Sequence, residues 1–126
     1  MANIIGTVKG LSYSAQASEA LAKGTAVAID FATDAASYPA SAGGRTFGIV
    51  TKDYDSGDMA EVFFTGLVPA VISTATGVAV GDLLTAGTDG KLAEATTGNI
   101  AIAVALQVPA ADNDQILVQL IDPVTV

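Results

Sequence analysis

The segment Leu21-Ala22-Lys23-Gly24-Thr25-Ala26-Val27 has a counterpart 57 positions later, Val78-Ala79-Val80-Gly81-Asp82-Leu83-Leu84. Each copy leads from a glycine turn into an apolar run, which is typical of the start of a β-strand. A second set of matches follows at an offset of 54: Gly48-Ile49-Val50, Asp58 and Val62-Phe63-Phe64 against Ile102-Ala103-Val104, Asp112 and Ile116-Leu117-Val118. Two copies of a strand–loop–strand–turn–strand unit predict one small β-domain with internal pseudo-symmetry, whereas a solenoid needs many copies of a short unit.

Outward from these matches, the chain reads as short strands separated by turn residues. Alternating apolar residues predict strands at 25–31, 46–51, 59–67, 70–73, 82–86, 92–95, 100–108 and 115–121. Residues 32–45 read as a loop of small residues, and Thr88-Asp89-Gly90-Lys91 as a hairpin turn. Residues 14–23 carry the end signals of a short helix. Their counterpart at 73–80 is β-branched, however, and this favours a loop or strand for both.

These strands define an all-β fold, a small barrel or sandwich with two pseudo-repeated strand units. The length of 126 residues fits a single domain. We expect an extended N-terminal arm at residues 1–13 and one β-domain at 14–126, with repeat units at about 21–67 and 78–121.

The net charge of the chain argues against two classes of binding partner, nucleic acids and anionic membranes. Thirteen acidic residues stand against five basic ones, a net charge of −8, so binding to nucleic-acid phosphates and to anionic membranes is not expected. The start of the chain lacks the basic and apolar regions of a signal peptide. Only 14% of residues are charged and the mean hydropathy is +0.53. Either other chains cover part of this surface, or it consists of small residues such as Ala, Thr, Ser and Gly.

Catalytic and metal sites have few candidate residues. The chain has no His and no Cys, which excludes the His- and Cys-dependent triads and ordinary zinc sites. Neither phosphate-binding glycine fingerprint is present. The acidic stretch Asp53-Tyr54-Asp55-Ser56-Gly57-Asp58 with Glu61 offers oxygen ligands for Ca²⁺, but it departs from the EF-hand pattern and suits a solvated turn. We therefore expect no enzyme activity, no cofactor and no metal.

The N-terminal arm admits two interpretations. It is a first edge strand or frayed terminus, or it is an extended segment that adds as a strand to another protein's sheet. In the second case Ile4, Ile5 and Val8 would serve as apolar anchors.

The pattern resembles the phage head decoration, or cement, proteins of lambda-like capsids and related small capsid cement proteins. The resemblance rests on 21–30, Phe47-Gly48-Ile49-Val50, 61–66, Val80-Gly81-Asp82-Leu83-Leu84, 98–105 and 116–120. It implies a β-tulip-like fold on the outer surface of the virion capsid, assembled in the host bacterial cytoplasm. It also implies binding to the major capsid protein after the shell expands, as a homotrimer at three-fold positions, bracing the shell against DNA pressure. Candidate capsid contacts are then Ile4, Ile5, Val8, Leu11 and Tyr13.

Two other functions stay open at this point. The chain would also suit a phage tail, fibre or cell-surface β-module that binds a receptor or glycan, although the lack of Trp weighs against a glycan. The second is an enzyme with an unrecognised carboxylate site, and the lack of His and Cys as catalytic residues weighs against it.

Overall fold

A computed structural model describes residues 10–126, and ten β-strands lie in that range. They are β1 Ser12–Ala17, β2 Ala26–Asp30, β3 Ala35–Ser37, β4 Gly48–Val50, β5 Met59–Phe63, β6 Gly66–Val71, β7 Leu83–Ala86, β8 Leu92–Glu94, β9 Ile100–Ala105 and β10 Gln115–Thr125. The described residues include no helix that is long and apolar enough to cross a membrane. The all-β prediction is confirmed.

The ten strands form a closed barrel and a second sheet. Read around the barrel as β1-β5-β4-β2-β3, the order of the first corresponds strand for strand to that of the second. β1 to β5, the first unit, close a barrel in the order β1-β3-β2-β4-β5. β6 to β10, the second unit, form a five-stranded sheet in the order β6-β10-β9-β7-β8. β1 and β3 pair in parallel, and in the second unit a parallel bridge from Ile72 to Leu92 brings the end of β6 to β8. The second unit therefore repeats the topology of the first.

Matching hydrogen bonds show which residues of the two units are equivalent. The N–H of Gly24 donates to the carbonyl of Val50 at 2.7 Å, and that of Gly81 donates to Ala105 at 2.8 Å. Gly24 is therefore equivalent to Gly81, which confirms the predicted offset of 57 positions between β2 and β7. Val50 is equivalent to Ala105, so the offset between β4 and β9 is 55 positions rather than the predicted 54. Short apolar runs look alike at neighbouring registers, whereas the backbone hydrogen bonds select one register.

A second matching pair of hydrogen bonds fixes the last strand of each unit. Ala17 N–H donates to Asp58 O at 2.8 Å, and Ile72 N–H donates to Asp114 O at 2.9 Å. Asp58 is thus equivalent to Asp114, not to Asp112, and the offset for β5 and β10 is 56 rather than 54. The hydrogen-bonded units span 12–63 and 66–125. Both begin earlier than the repeat units at about 21–67 and 78–121 indicated by sequence matching; the first also ends earlier, and the second ends later.

Several strand boundaries differ from the predicted ones. The strand predicted at 59–67 ends at Phe63, and β6 begins at Gly66, whose φ of 95° suits glycine and turns the chain. Pro69 lies inside β6, opposite Leu117 on β10. β6 is an edge strand of its sheet, and the proline removes a backbone donor there. β3, inside the predicted loop 32–45, was missed because its three residues are small and carry no apolar period.

The two units share part of their core. Inside the barrel of the first unit, small and β-branched residues such as Ala15, Val27 and Val62 are fully buried. Ala26 and Ile49 belong to the first unit, yet they pack in the core of the second. Backbone bonds also cross between the units, among them Val71 N–H to Gly24 O at 2.8 Å and Ala26 N–H to Gly90 O at 2.7 Å. Each unit therefore completes the packing of the other.

β10 departs from the repeat at its C-terminal end. Its pairing with β9 shifts register between Leu120 and Val124, and this leaves Ile121, Asp122 and Pro123 as an irregular segment. Such bulges re-aim side chains next to functional sites. Here the irregular segment lies against one end of the first unit's barrel and forms one wall of a cleft.

Candidate functional site

The predicted capsid contacts fall in two groups. Ile4, Ile5 and Val8 lie outside the described residues. Leu11 is described: its N–H donates to Thr65 Oγ1 at 2.8 Å and its carbonyl accepts from Phe64 N–H at 3.0 Å. Its backbone is therefore fixed to the barrel, while its side chain is 63% exposed.

Tyr13, assigned by the sequence to the arm, lies in β1 instead and pairs with Val62. Its half-buried ring packs at one end of the barrel, and its hydroxyl donates a hydrogen bond to the Asp34 carboxylate. That hydrogen bond raises the pKa of Tyr13, with partial desolvation and the charge of Asp34 acting in the same direction. Ser12 also belongs to β1, so the last two residues of the predicted arm at 1–13 are part of the barrel.

The acidic stretch at Asp53–Asp58 forms a turn in which the carboxylates bind backbone donors. Asp53 accepts from Lys23 N–H at 2.8 Å, and Asp58 accepts from Asp55 N–H at 2.9 Å. In the second unit the equivalent Asp114 accepts from Ala111 N–H at 2.9 Å. These contacts hold the turn between strands. Within residues 10–126 no three His, Cys, Asp or Glu side chains are grouped to hold a metal ion.

Four aromatic rings close one end of the first unit's barrel. Phe31 lies 5.3 Å from Tyr13 and 5.3 Å from Phe47 between ring centroids, both in edge-to-face contact. Phe47 lies 5.0 Å from Phe64. The two edge-to-face contacts are a favoured arrangement of aromatic pairs. Phe31 is nevertheless 55% exposed, so the cluster presents an open aromatic surface to solvent.

Beside these rings lies a cleft of about 350 Å³, which we call the aromatic cleft. Its lining includes Phe31, Arg45, Thr46, Phe47, Phe64 and Asp122. Arg45 and Asp122 are exposed and place opposite charges at the cleft. Thr46 is only 2% exposed, and its Oγ1 has no hydrogen-bond partner in the described part of the chain. A buried hydroxyl without a partner is uncommon in native proteins and calls for an explanation.

The aromatic cleft was not predicted from the sequence, although one signal was available. All seven aromatic residues of the chain lie between positions 13 and 64. From the registers described above, Tyr13, Phe47 and Phe64 are equivalent to aliphatic residues of the second unit. Those residues are Val68, Ile102 and Leu120, which are all buried. The aromatic residues thus mark the place where the two copies differ.

Both the fold and the sequence of this chain are similar to those of phage proteins. The structure of "head fiber gp8.5 N base in bacteriophage phi29" superposes with a TM-score of 0.69 at 19% identity, covering 88% of this chain and 93% of that chain. At this identity the likeness concerns the fold alone. No curated protein matches the chain. A sequence profile of phage cement proteins matches residues 5–120. Because that match spans most of its length, the chain belongs to the phage cement protein family and is a structural protein of the phage capsid.

Proposed function

We propose that this cement protein binds the outer surface of an expanded icosahedral capsid through the major capsid protein, and stabilises the shell against the pressure of packaged DNA. The observation that carries the proposal is the family match, which extends over residues 5–120 and so includes most of the N-terminal arm. A role as a molecular clamp requires an adhesive surface rather than catalytic residues.

The geometry of Gly10 and Leu11 supports a role for the arm. A Cβ on Gly10 would lie 1.9 Å from the Thr65 carbonyl oxygen, so the chain passes close to the barrel at this point. The exposed side chain of Leu11 follows directly. An arm that starts here would add as a strand to a sheet of the shell, with Ile4, Ile5 and Val8 as anchors. Burial of three such side chains would contribute roughly 1.5–3 kcal/mol each before ordering costs.

Self-association at three-fold positions, as a homotrimer, is the second part of the proposal. The low charged fraction of 14% supports it, since the cores of interfaces are depleted in charge. Met59 and Val108 add exposed apolar side chains, each more than 60% exposed. Light scattering at high protein concentration measures the mass in solution. A map of decorated heads with monomers away from every three-fold axis would contradict the trimer.

Deletion of residues 1–10 tests the role of the arm. The shortened protein should stay folded with nearly the same melting temperature, because all ten described strands begin after residue 10. It should bind expanded heads at least about tenfold more weakly, the equivalent of ~1.4 kcal/mol. Val80→Ala, at a site 61% exposed, is the matched control. If the shortened protein binds as well as the full chain, the arm is only a terminus; if it fails to fold, the arm is part of the core.

A further inference from the structure

We propose that the aromatic cleft binds a neutral saccharide of one or two rings. This activity is separate from the proposed anchoring to the shell by Ile4, Ile5 and Val8, because the saccharide would lie between the barrel end and β10, next to the Tyr13 ring. The cleft combines aromatic and aliphatic walls with a few polar groups, as small-molecule sites generally do. Its volume of about 350 Å³ is near the lower end of ligand sites, which run from roughly 300 to 1,000 Å³.

The aromatic rings fit the apolar face of a sugar. A pyranose ring presents axial C–H groups on one face, and these pack well on the faces of Phe and Tyr rings. Phe31 is held in place by edge-to-face contacts with Tyr13 and Phe47, yet it is 55% exposed. An aromatic side chain that is both fixed and solvent-exposed loses little freedom on binding, which favours affinity.

The polar groups of the cleft fit the hydroxyls of a sugar. Arg45 supplies several N–H donors, and Asp122 supplies carboxylate acceptors. A sugar hydroxyl donates and accepts at the same time, so it can satisfy both kinds of group. Such a pair of opposite charges would not suit a purely apolar ligand, because it would be desolvated without a partner.

Thr46 places an unpaired hydroxyl at the cleft. Its Oγ1 is buried and has no partner among residues 10–126, although the residue lines the cleft. A polar group that is left unpaired in the free protein is expected where it is used in the bound state.

The net charge of the protein decides between classes of saccharide. With a net charge of −8, the protein repels anionic ligands such as uronic or sialic acids. Neutral sugars escape this repulsion. The other possible occupants are the N-terminal segment 1–9 and a second copy of the chain, and the experiment below includes both as outcomes that overturn the proposal.

The test is a titration of the full-length, isotopically labelled protein with glucose, galactose, N-acetylglucosamine and lactose, followed by amide NMR. At least one sugar should shift the amides of Arg45, Phe47 and Phe64 with a Kd in the millimolar range. Phe31→Ala and Asp122→Asn, both at exposed positions, should each weaken binding about tenfold. Val80→Ala, in the second unit and 61% exposed, is the matched control and should leave the Kd unchanged.

Thr46→Val tests the proposal through the melting temperature as well as through saccharide binding. Removal of the unpaired hydroxyl should raise the melting temperature of the free protein and weaken saccharide binding. Binding of Phe31→Ala to expanded heads should equal that of the unchanged protein, which separates this proposal from the shell-binding one. No shifts with any of the four sugars would overturn the proposal. So would cleft shifts produced only by a synthetic peptide of residues 1–9, or only by raising the protein concentration.

Discussion

The two units of this protein have the same strand order but use it differently. In the first unit, Tyr13, Phe47 and Phe64 close the barrel end, and Phe47 and Phe64 line the aromatic cleft. In the second, the equivalent Val68, Ile102 and Leu120 are buried. The same backbone hydrogen bonds thus support a packed core in one copy and an open site in the other. A duplicated fold leaves one copy free to carry a site while its neighbour supplies stability.

Closure also differs between the units. β1 and β3 pair through Gln16–Ala35 and Ala17–Ala36 to complete the first barrel. The second unit has only the bridge from Ile72 to Leu92 at this position. The outer edge of β6 instead donates to Gly24 of the first unit through Val71 N–H. The first unit closes on itself, whereas the second is completed by its neighbour.

The largest expected effect comes from Ile49→Ala. Ile49 belongs to β4 of the first unit, is fully buried and packs in the core of the second. Its truncation should lower the free energy of unfolding by about 2–5 kcal/mol. Tyrosine fluorescence reports on the first unit alone, because Tyr13, Tyr38 and Tyr54 all lie there, while far-UV circular dichroism reports on both units. We expect the two signals to change at one denaturant midpoint, before and after the substitution.

Separate midpoints would show that the units unfold independently, against the shared core described above. Met59→Ala is the control for the substitution itself. Met59 is 64% exposed at the start of β5, so its loss should change stability by no more than about 0.5 kcal/mol.

A smaller difference in stability is expected between alanine substitutions at two glycines of the second unit. Gly90 and Gly81 have φ of 76° and 92°, so alanine at either position should cost about 1–2 kcal/mol of backbone strain. A Cβ on Gly90 would also lie 2.7 Å from Ala26 O and from the Tyr38 ring, whereas Gly81 has nothing within 4 Å. Gly90→Ala should therefore cost a further ~1–3 kcal/mol. Equal urea midpoints for the two variants would mean that the contact between the units is loose at this turn.

The smallest effect concerns the hydroxyl of Tyr13 and the Asp34 carboxylate. Because folding raises the pKa of Tyr13, this contact stabilises the protein below the ordinary tyrosine pKa of about 10, and the stabilisation is lost as the pH rises through the raised pKa. Asp34→Asn should shift the ionisation of one tyrosine to lower pH in an ultraviolet titration. Asn tolerates the positive φ of 53° at this position. Asp30→Asn, at the end of β2, is the control. Identical titration curves for both variants would contradict the assignment of the raised pKa to the contact between Tyr13 and Asp34.

Much of the fold follows from local patterns. The apolar alternation of β2, β7 and β10 and the Asp89-Gly90 turn predicted strands and a hairpin that the structure contains. The candidate site, in contrast, is built from contacts between residues that are far apart in the sequence. Phe31, Thr46 and Asp122 are distant in the sequence, and only the irregular pairing after Leu120 brings Asp122 to the barrel end. No pattern within a window of a few residues reports such a contact.

The sequence by itself determined the all-β class, the duplication, and the absence of His- and Cys-based chemistry, because composition and strand periodicity are local properties. Only the tertiary structure decided the register of the second half of the repeat, the pairing of β3 and the aromatic cleft. The physical reason is the two-residue period of a strand. A shift by two positions keeps the alternation of a strand such as β10, and the unbroken apolar run of β9 hides even a shift by one position. Long-range hydrogen bonds between strands therefore select the register.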